Sequence, residues 1–313
     1  MLTALARSDL KLWFLAIRPL TLPLSATPVL VGAVLASFQQ GGLDWPLLLA
    51  TLIAAIAIQA GTNLLNDAED FERGNDTTER RGPPRVTARG WATVPEVKTA
   101  ASLSFLLAAL CGLYLVGAGG WPIFWIGLSS ILAGIAYSAG PMPISHTPLG
   151  ELFVFLFFGI VPVTGTVFLQ TGEWPFGAFL SGAAMGAYAA AVLHTNNTRD
   201  IVEDAKAGRH TLAIFIARFG GNGLDHENRL GLSSAYGLFV LIPYLFLAAQ
   251  FTASGLLSPP DKVWLVLLGL PGAVLAIRSF FEAQTASQSN RLLVMTIGLQ
   301  LLFATLFSLG LLI

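Results

Sequence analysis

Charge is the scarcest property of this chain: Asp, Glu, Lys and Arg make up 11% of its 313 residues, against 54% hydrophobic ones. Soluble domains carry about 25% charged residues, so that class is excluded. The 17 basic and 18 acidic side chains leave a net charge of −1, which says little because the charges are segregated along the chain, and no sign of nucleic-acid binding is present. Cysteine occurs once, as Cys111 in an apolar run, so no intrachain disulfide can form. Its plain role is that of a small buried or lipid-facing residue. The N-terminus lacks the short apolar core and small-residue cleavage site of a removed signal peptide, which predicts that the first span is retained.

What the chain has in abundance is apolar sequence of membrane length. A hydrocarbon core about 30 Å thick calls for about 20 apolar residues per helix. Nine segments meet this need: 16–38, 45–66, 97–117, 121–139, 150–170, 175–196, 229–251, 262–279 and 292–312. The expected fold class is all-α, a polytopic membrane protein with nine transmembrane helices in a single domain over residues 1–313. Arg7, Lys11 and Arg18 precede or open the first span, and Arg73, Arg80, Arg81, Arg85, Arg89 and Lys98 crowd the second connection. Arg199, Lys206, Arg209, Arg218 and Arg229 crowd the sixth, and Arg278 and Arg291 bracket the eighth. With a cytoplasmic N-terminus all of these face the cytoplasm and only Lys262 lies outside, in accord with the positive-inside rule. The basic loops suit an anionic leaflet or an anionic substrate.

The external connections are short, whereas those near 67–96 and 197–229 are long and polar, so function is expected there. Each opens on Asn residues followed by spaced Asp, four spans apart, which reads as a weak internal repeat with two halves facing one site. Residues 211–219 are apolar but too short to span and are expected to form an interfacial helix; the Gly-rich stretch 220–226 lacks P-loop spacing and reads as a plain turn.

The two acidic segments carry the chemistry. In the first, Asn66 and Asp70 stand four apart and Asp67 and Asp70 three apart, which puts their side chains on one face if the helix continues. In the second, Asp200 and Asp204 repeat the four-residue spacing, with Asn196 one turn back. Two such faces, opposed, would hold one or two Mg²⁺, because hard oxygen donors without paired His or Cys favour Mg²⁺ over zinc. Any single Asp of this kind is more often a helix cap or a solvated charge. Two Asn-plus-Asp clusters at helix ends, flanked by Arg80, Arg85, Lys206 and Arg209 in a chain with so few charges, point instead to a bound diphosphate. A diphosphate leaving an allylic carbon would leave a cation that needs apolar or aromatic walls, which 21 Phe, 7 Trp and 5 Tyr can supply.

These motifs resemble those of the UbiA superfamily of membrane-embedded aromatic prenyltransferases. The resemblance places the first aspartate-rich motif on Asn66, Asp67, Asp70 and Asp76, the last displaced because Gly74 stands at the commoner position, and the second on Asp200 and Asp204 with Lys206 and Arg209. Four further segments are similar to the 1,4-dihydroxy-2-naphthoate polyprenyltransferases of menaquinone synthesis: 18–23, 70–85, 137–143 with 150–159, and 196–201 with 208–212. The resemblance implies helices around a central cavity open to the cytoplasm and the lipid, in a bacterial inner membrane, and transfer of a polyprenyl group to the naphthoate with loss of diphosphate and CO2. It implies Mg²⁺ as cofactor, held by Asn66, Asp70, Asp76, Asn196, Asp200 and Asp204, with Asp67, Asp70, Asp200 and Asp204 catalytic. Asn63, Arg18, Arg80, Arg85, Tyr137, Asn197, Lys206 and Arg209 are then expected to bind the polyprenyl diphosphate and the aromatic acceptor. Arg18 is either a contact for the acceptor carboxylate or a membrane anchor, and Tyr137 either a wall of the site or an interfacial belt residue. Glu151 is expected to cap its helix, and His194 to make a structural hydrogen bond. Prenylation of 4-hydroxybenzoate or homogentisate is the alternative within the class. A transporter is the alternative outside it, although it predicts charges near the midplane rather than at one side. Nothing in the sequence marks a protein partner.

Overall fold

The structure, a computed structural model, describes residues 10–75, 82, 84–219, 228–252 and 262–313. A short helix α1 (Leu10–Ala16) and a 3₁₀ turn (Pro19–Thr21) lead into α2 (Pro23–Gln40) and α3 (Trp45–Glu72). Next come α4 (Val94–Ser138), α5 (Gly150–Phe155), a π-helical turn (Leu156–Ile160), α6 (Val161–Thr171) and α7 (Phe176–Arg199). Two short helices, α8 (Ile201–Lys206) and α9 (Leu212–Arg218), precede α10 (Arg229–Thr252), a 3₁₀ segment (Val263–Gly269), α11 (Leu270–Glu282) and α12 (Ala286–Leu312). Among the described residues, eight helical segments are long and apolar enough to cross a membrane.

The helix ends follow local chemistry. Asp44 caps α3 by accepting from Leu47 N at 3.0 Å. Glu96 reaches back to Thr93 N at 2.8 Å to close a box at the start of α4, and Gln288 does the same for Thr285 N, at 2.9 Å, at the start of α12. Helix α4 runs over 45 residues with its one non-helical backbone position at Gly120, between the two expected spans, where φ of 65° and ψ of −153° suit only glycine. In a straight helix Phe105 and Gly134 would be about 43 Å apart, yet a Cβ on Gly134 would lie 3.3 Å from the Phe105 ring. The two halves therefore fold back on each other at Gly120.

On the other side of the bundle, α7 lies against the α5–α6 segment with almost no side chain between: a Cβ on Gly159 would collide with the backbone of Gly182 and Gly186. The main core joins α7, α10, α11 and α12 around Tyr188, Tyr236, Phe280 and Phe303. Within it Tyr236 Oη lies 2.7 Å from Thr296 Oγ1. Large apolar side chains such as Leu103, Leu106, Leu110 and Leu113 point outward, as lipid-facing positions do. Exposed Trp45, Trp121, Trp174 and Trp264 gather at the end away from the acidic segments, where a membrane interface favours them. The short helix expected within 211–219 is present as α9, with Ala213, Ile214 and Ala217 inward and Phe215 outward. The Gly-rich stretch 220–226 lies outside the described residues.

A cavity of about 860 Å³ runs between α2 and α7. On α3 alone its wall extends from Thr51 to Asp70, about 28 Å of helix. Leu115, Val116, Ile123 and Leu169 line one end, and Asn66, Asp70, Asp200 and Asp204 the other.

Candidate active site

The polar end is built around Asp70, near the C-terminus of α3, whose side chain is 5% exposed. A carboxylate taken out of water there costs several kcal/mol unless it is paired. Its Oδ1 accepts from Arg209 NH2 at 2.5 Å, and its Oδ2 accepts from Asn66 Nδ2 at 2.9 Å and lies 3.4 Å from Arg85 NH2. Asn66 Oδ1 in turn accepts from Arg18 NH2 and Arg85 NH2, both at 2.9 Å. Arg18 reaches this point from a left-handed backbone, φ 56°, which no other non-glycine residue among those described adopts. Asn63, one turn back on α3, donates to Ile17 O at 2.9 Å and so ties the chain before Arg18 to the same helix.

The second segment meets the first through one guanidinium. Arg209 NH1 lies 3.2 Å from Asp204 Oδ1 while its NH2 holds Asp70. Helix α7 breaks at Asp200, but Asp200 N still bonds Asn196 O at 3.1 Å and Asp204 N bonds Asp200 O at 2.8 Å. The expected stripe therefore survives the break, and Asn196, Asp200 and Asp204 all line the cavity. Asp200 is gripped at both oxygens by its neighbour Arg199, at 2.7 and 2.6 Å, and Arg199 NH1 also donates to Asn290 Oδ1 at 2.7 Å. Tyr137 lines the same end, within the electrostatic reach of Glu151, Arg209, Arg18 and Asp70.

Other expected site residues are placed differently. Asp67 turns from the Asp70 cluster to the connection: its Oδ2 accepts from Val86 N at 3.0 Å, and its Oδ1 from Thr87 N at 3.2 Å and from the Thr87 hydroxyl. At 2% exposure it fixes the segment that delivers Arg85, a role that three-residue spacing alone does not reveal. Lys206 is exposed and outside the cavity wall. Asp76 and Arg80 lie outside the described residues. Glu151 does not cap its helix; Leu149 holds that position, and the Glu151 carboxylate crosses to Asn197, which also lines the cavity. Reasoning from sequence missed His146, whose Nε2 is 4.0 Å from Asp70 Oδ1, together with Arg199 and Asn290. Of these only Arg199 carried a signal, its place inside the Asn-Thr-Arg-Asp run.

Among the described residues no three Asp, Glu, His or Cys side chains surround one metal position; Arg209 stands between the two carboxylates. The donors that face each other across it are oxygen only: Asn66, Asp70 and Asp204. That set fits a hard divalent cation and a phosphate oxygen better than a soft metal. An end with Arg18, Arg85, Arg199 and Arg209 next to carboxylates, opening on an apolar channel, fits an amphiphile with an anionic head.

A sequence model of the UbiA prenyltransferase family matches residues 25–307. This chain belongs to the UbiA prenyltransferase family. Relatives within the family include the 1,4-dihydroxy-2-naphthoate octaprenyltransferase of Bacillus subtilis, 34% identical over 96% of this chain and 92% of that one. The protein of the same name from Escherichia coli is 33% identical over 95% of this chain and 94% of its own. Among solved structures, a UbiA homolog from Archaeoglobus fulgidus bound to DMAPP and Mg²⁺ superposes with a TM-score of 0.64 over 96% of this chain and 98% of that one, at 14% identity. The UbiA fold is thus shared well below the level at which sequence alone displays it.

Proposed function

We propose that this UbiA family member transfers a polyprenyl group from a polyprenyl diphosphate to 1,4-dihydroxy-2-naphthoate, releasing diphosphate and CO2 as in menaquinone synthesis. The single observation that carries the reading is Arg209, which joins Asp70 of the first motif to Asp204 of the second at the mouth of an apolar channel. The identity to relatives of that name supports the acceptor.

Arg18, Arg85 and Arg209 meet the non-bridging oxygens of the diphosphate and stabilise the charge that grows on it as the allylic C–O bond breaks. Asn66, Asp70, Asp200 and Asp204 would hold Mg²⁺, which would supply the larger part of that neutralisation. Tyr137, Phe153, Phe157 and Phe158 line the cavity beside this end and keep water from the allylic cation. The aromatic carbon that bears the carboxylate attacks; the new C–C bond forms and the C–CO2 bond breaks, its electron pair restoring the ring. The prenyl tail occupies the channel toward Leu115 and Ile123.

In the membrane the chain makes nine crossings, the two halves of α4 counting as two. Its N-terminus and polar cavity end face the cytoplasm of a bacterial inner membrane. The fold-back at Gly120, the tryptophans at one end and the arginines at the other support this arrangement.

The test is an assay of purified protein in detergent with a long-chain polyprenyl diphosphate and either 1,4-dihydroxy-2-naphthoate or 4-hydroxybenzoate, products read by mass. A decarboxylated prenyl naphthoquinol, lost with EDTA and restored by Mg²⁺, is the expected result. Product from the benzoate alone would overturn the acceptor, and release of intact substrate across a vesicle membrane without chemistry would favour a transporter.

A further inference from the structure

Behind the cavity wall lies a buried group that the transfer chemistry above does not use. Glu151, 2% exposed in the first turn of α5, and His194, fully buried on α7, face each other with Oε1 and Nδ1 3.7 Å apart. Neither lines the cavity. His194 is fixed from the far side: its ring stacks on Phe280 with centroids 5.7 Å apart, and its Nε2 is 3.1 Å from Leu232 O. A carbonyl only accepts, so Nε2 carries a hydrogen, and Nδ1 is left to interact with the Glu151 carboxyl. Glu151 Oε1 accepts from Asn197 Nδ2 at 3.0 Å, and Asn197 does line the cavity.

We infer that Glu151 is a positioning residue that orients the Asn197 amide, so that Asn197 presents its carbonyl oxygen to the cavity as an acceptor for a phenolic hydroxyl of the aromatic substrate. An amide has one donating end and one accepting end. The carboxylate oxygen Oε1 accepts, and it therefore selects the NH2 end of Asn197 for the interior. Without Glu151 the amide loses this anchor and no longer holds its carbonyl oxygen against the substrate hydroxyl. The close helix contact at Gly186, one face along from His194, leaves α7 little freedom to compensate. This inference rests on the prenyltransferase reading, and turnover by the unaltered protein tests that reading separately.

The experiment compares E151Q, E151L, N197A and the double variant E151L/N197A, each purified from membranes and assayed with both substrates varied in turn. Gln at 151 can keep an oxygen at the Oε1 position to accept from Asn197, so E151Q retains most of the turnover. E151L and N197A each lose roughly tenfold to hundredfold in kcat/KM for the aromatic acceptor, the scale of a buried hydrogen bond to a charged group, with KM for the polyprenyl diphosphate within about twofold. The double variant loses no more than either single one. E151Q as impaired as E151L, losses that multiply in the double variant, or a loss carried by the prenyl diphosphate would each overturn the proposal. If E151L is not recovered folded, E151Q against N197A decides: similar impairment in both overturns it, and impairment of N197A alone supports it. An unaltered protein that fails to turn over 1,4-dihydroxy-2-naphthoate would instead overturn the proposed reaction.

Discussion

The two acidic segments share a residue pattern but are held in different ways. Asn66 and Asp70 sit within one unbroken helix and are cross-linked to three arginines from three separate parts of the chain. Asp200 sits at a helix break, and the cation that holds it is its own neighbour, Arg199. The first cluster is preorganised by tertiary structure, whereas the second relies on local chain geometry and on Arg209 to join the first. A repeated motif in this fold is thus one rigid face and one jointed face, brought into register by a single side chain.

Replacing either carboxylate should have the largest effect: D70A and D200A each lower kcat by about a thousandfold or more, the scale of removing a main electrostatic element. The two should part in stability, because the Asp70 side chain is 5% exposed and ties together Arg85 and Arg209 from two other parts of the chain, while Asp200 is 16% exposed and pairs with its own neighbour Arg199. Equal thermal shifts in detergent would break the contrast between the rigid and jointed faces. R209M should lower kcat by about a hundredfold, and in combination with D204A it should lose little more, since both act at one joint; multiplicative losses would show that the faces work independently. T87V removes a donor to the buried Asp67 and should lower stability by about 1–3 kcal/mol with kcat per folded molecule nearly intact, measured by denaturation beside the assay. K206Q, on an exposed side chain outside the cavity, should change kcat/KM by about threefold or less; a hundredfold loss would move the diphosphate toward α8.

The membrane helices were legible because length and hydropathy decide them. The run expected over 45–66 continues to Glu72, and that over 175–196 to Arg199, since the acidic segments extend their helices rather than end them. The two spans expected over 97–139 were separated at the right place, Gly120, although the turn there is a single residue. Within the site, the Asn66–Asp70 and Asp200–Asp204 pairs followed from i,i+4 spacing. The arginine partners did not, because Arg209 lies 139 residues from Asp70 and only the folded connections bring them together. The contacts of Asp67 were hidden for a similar reason: it lines the cavity, but its hydrogen bonds go to a loop 19 and 20 residues away. Glu151 has the composition of a helix cap and is instead spent on another helix.

The left-handed Arg18 has a consequence for anyone improving this protein. A non-glycine residue held there costs about 1–3 kcal/mol, and R18G would relieve it. A selection for heat tolerance would therefore be drawn to that substitution. It would return an enzyme with a relaxed backbone that had let go of Asn66, and with it one cation at the polar end of the cavity.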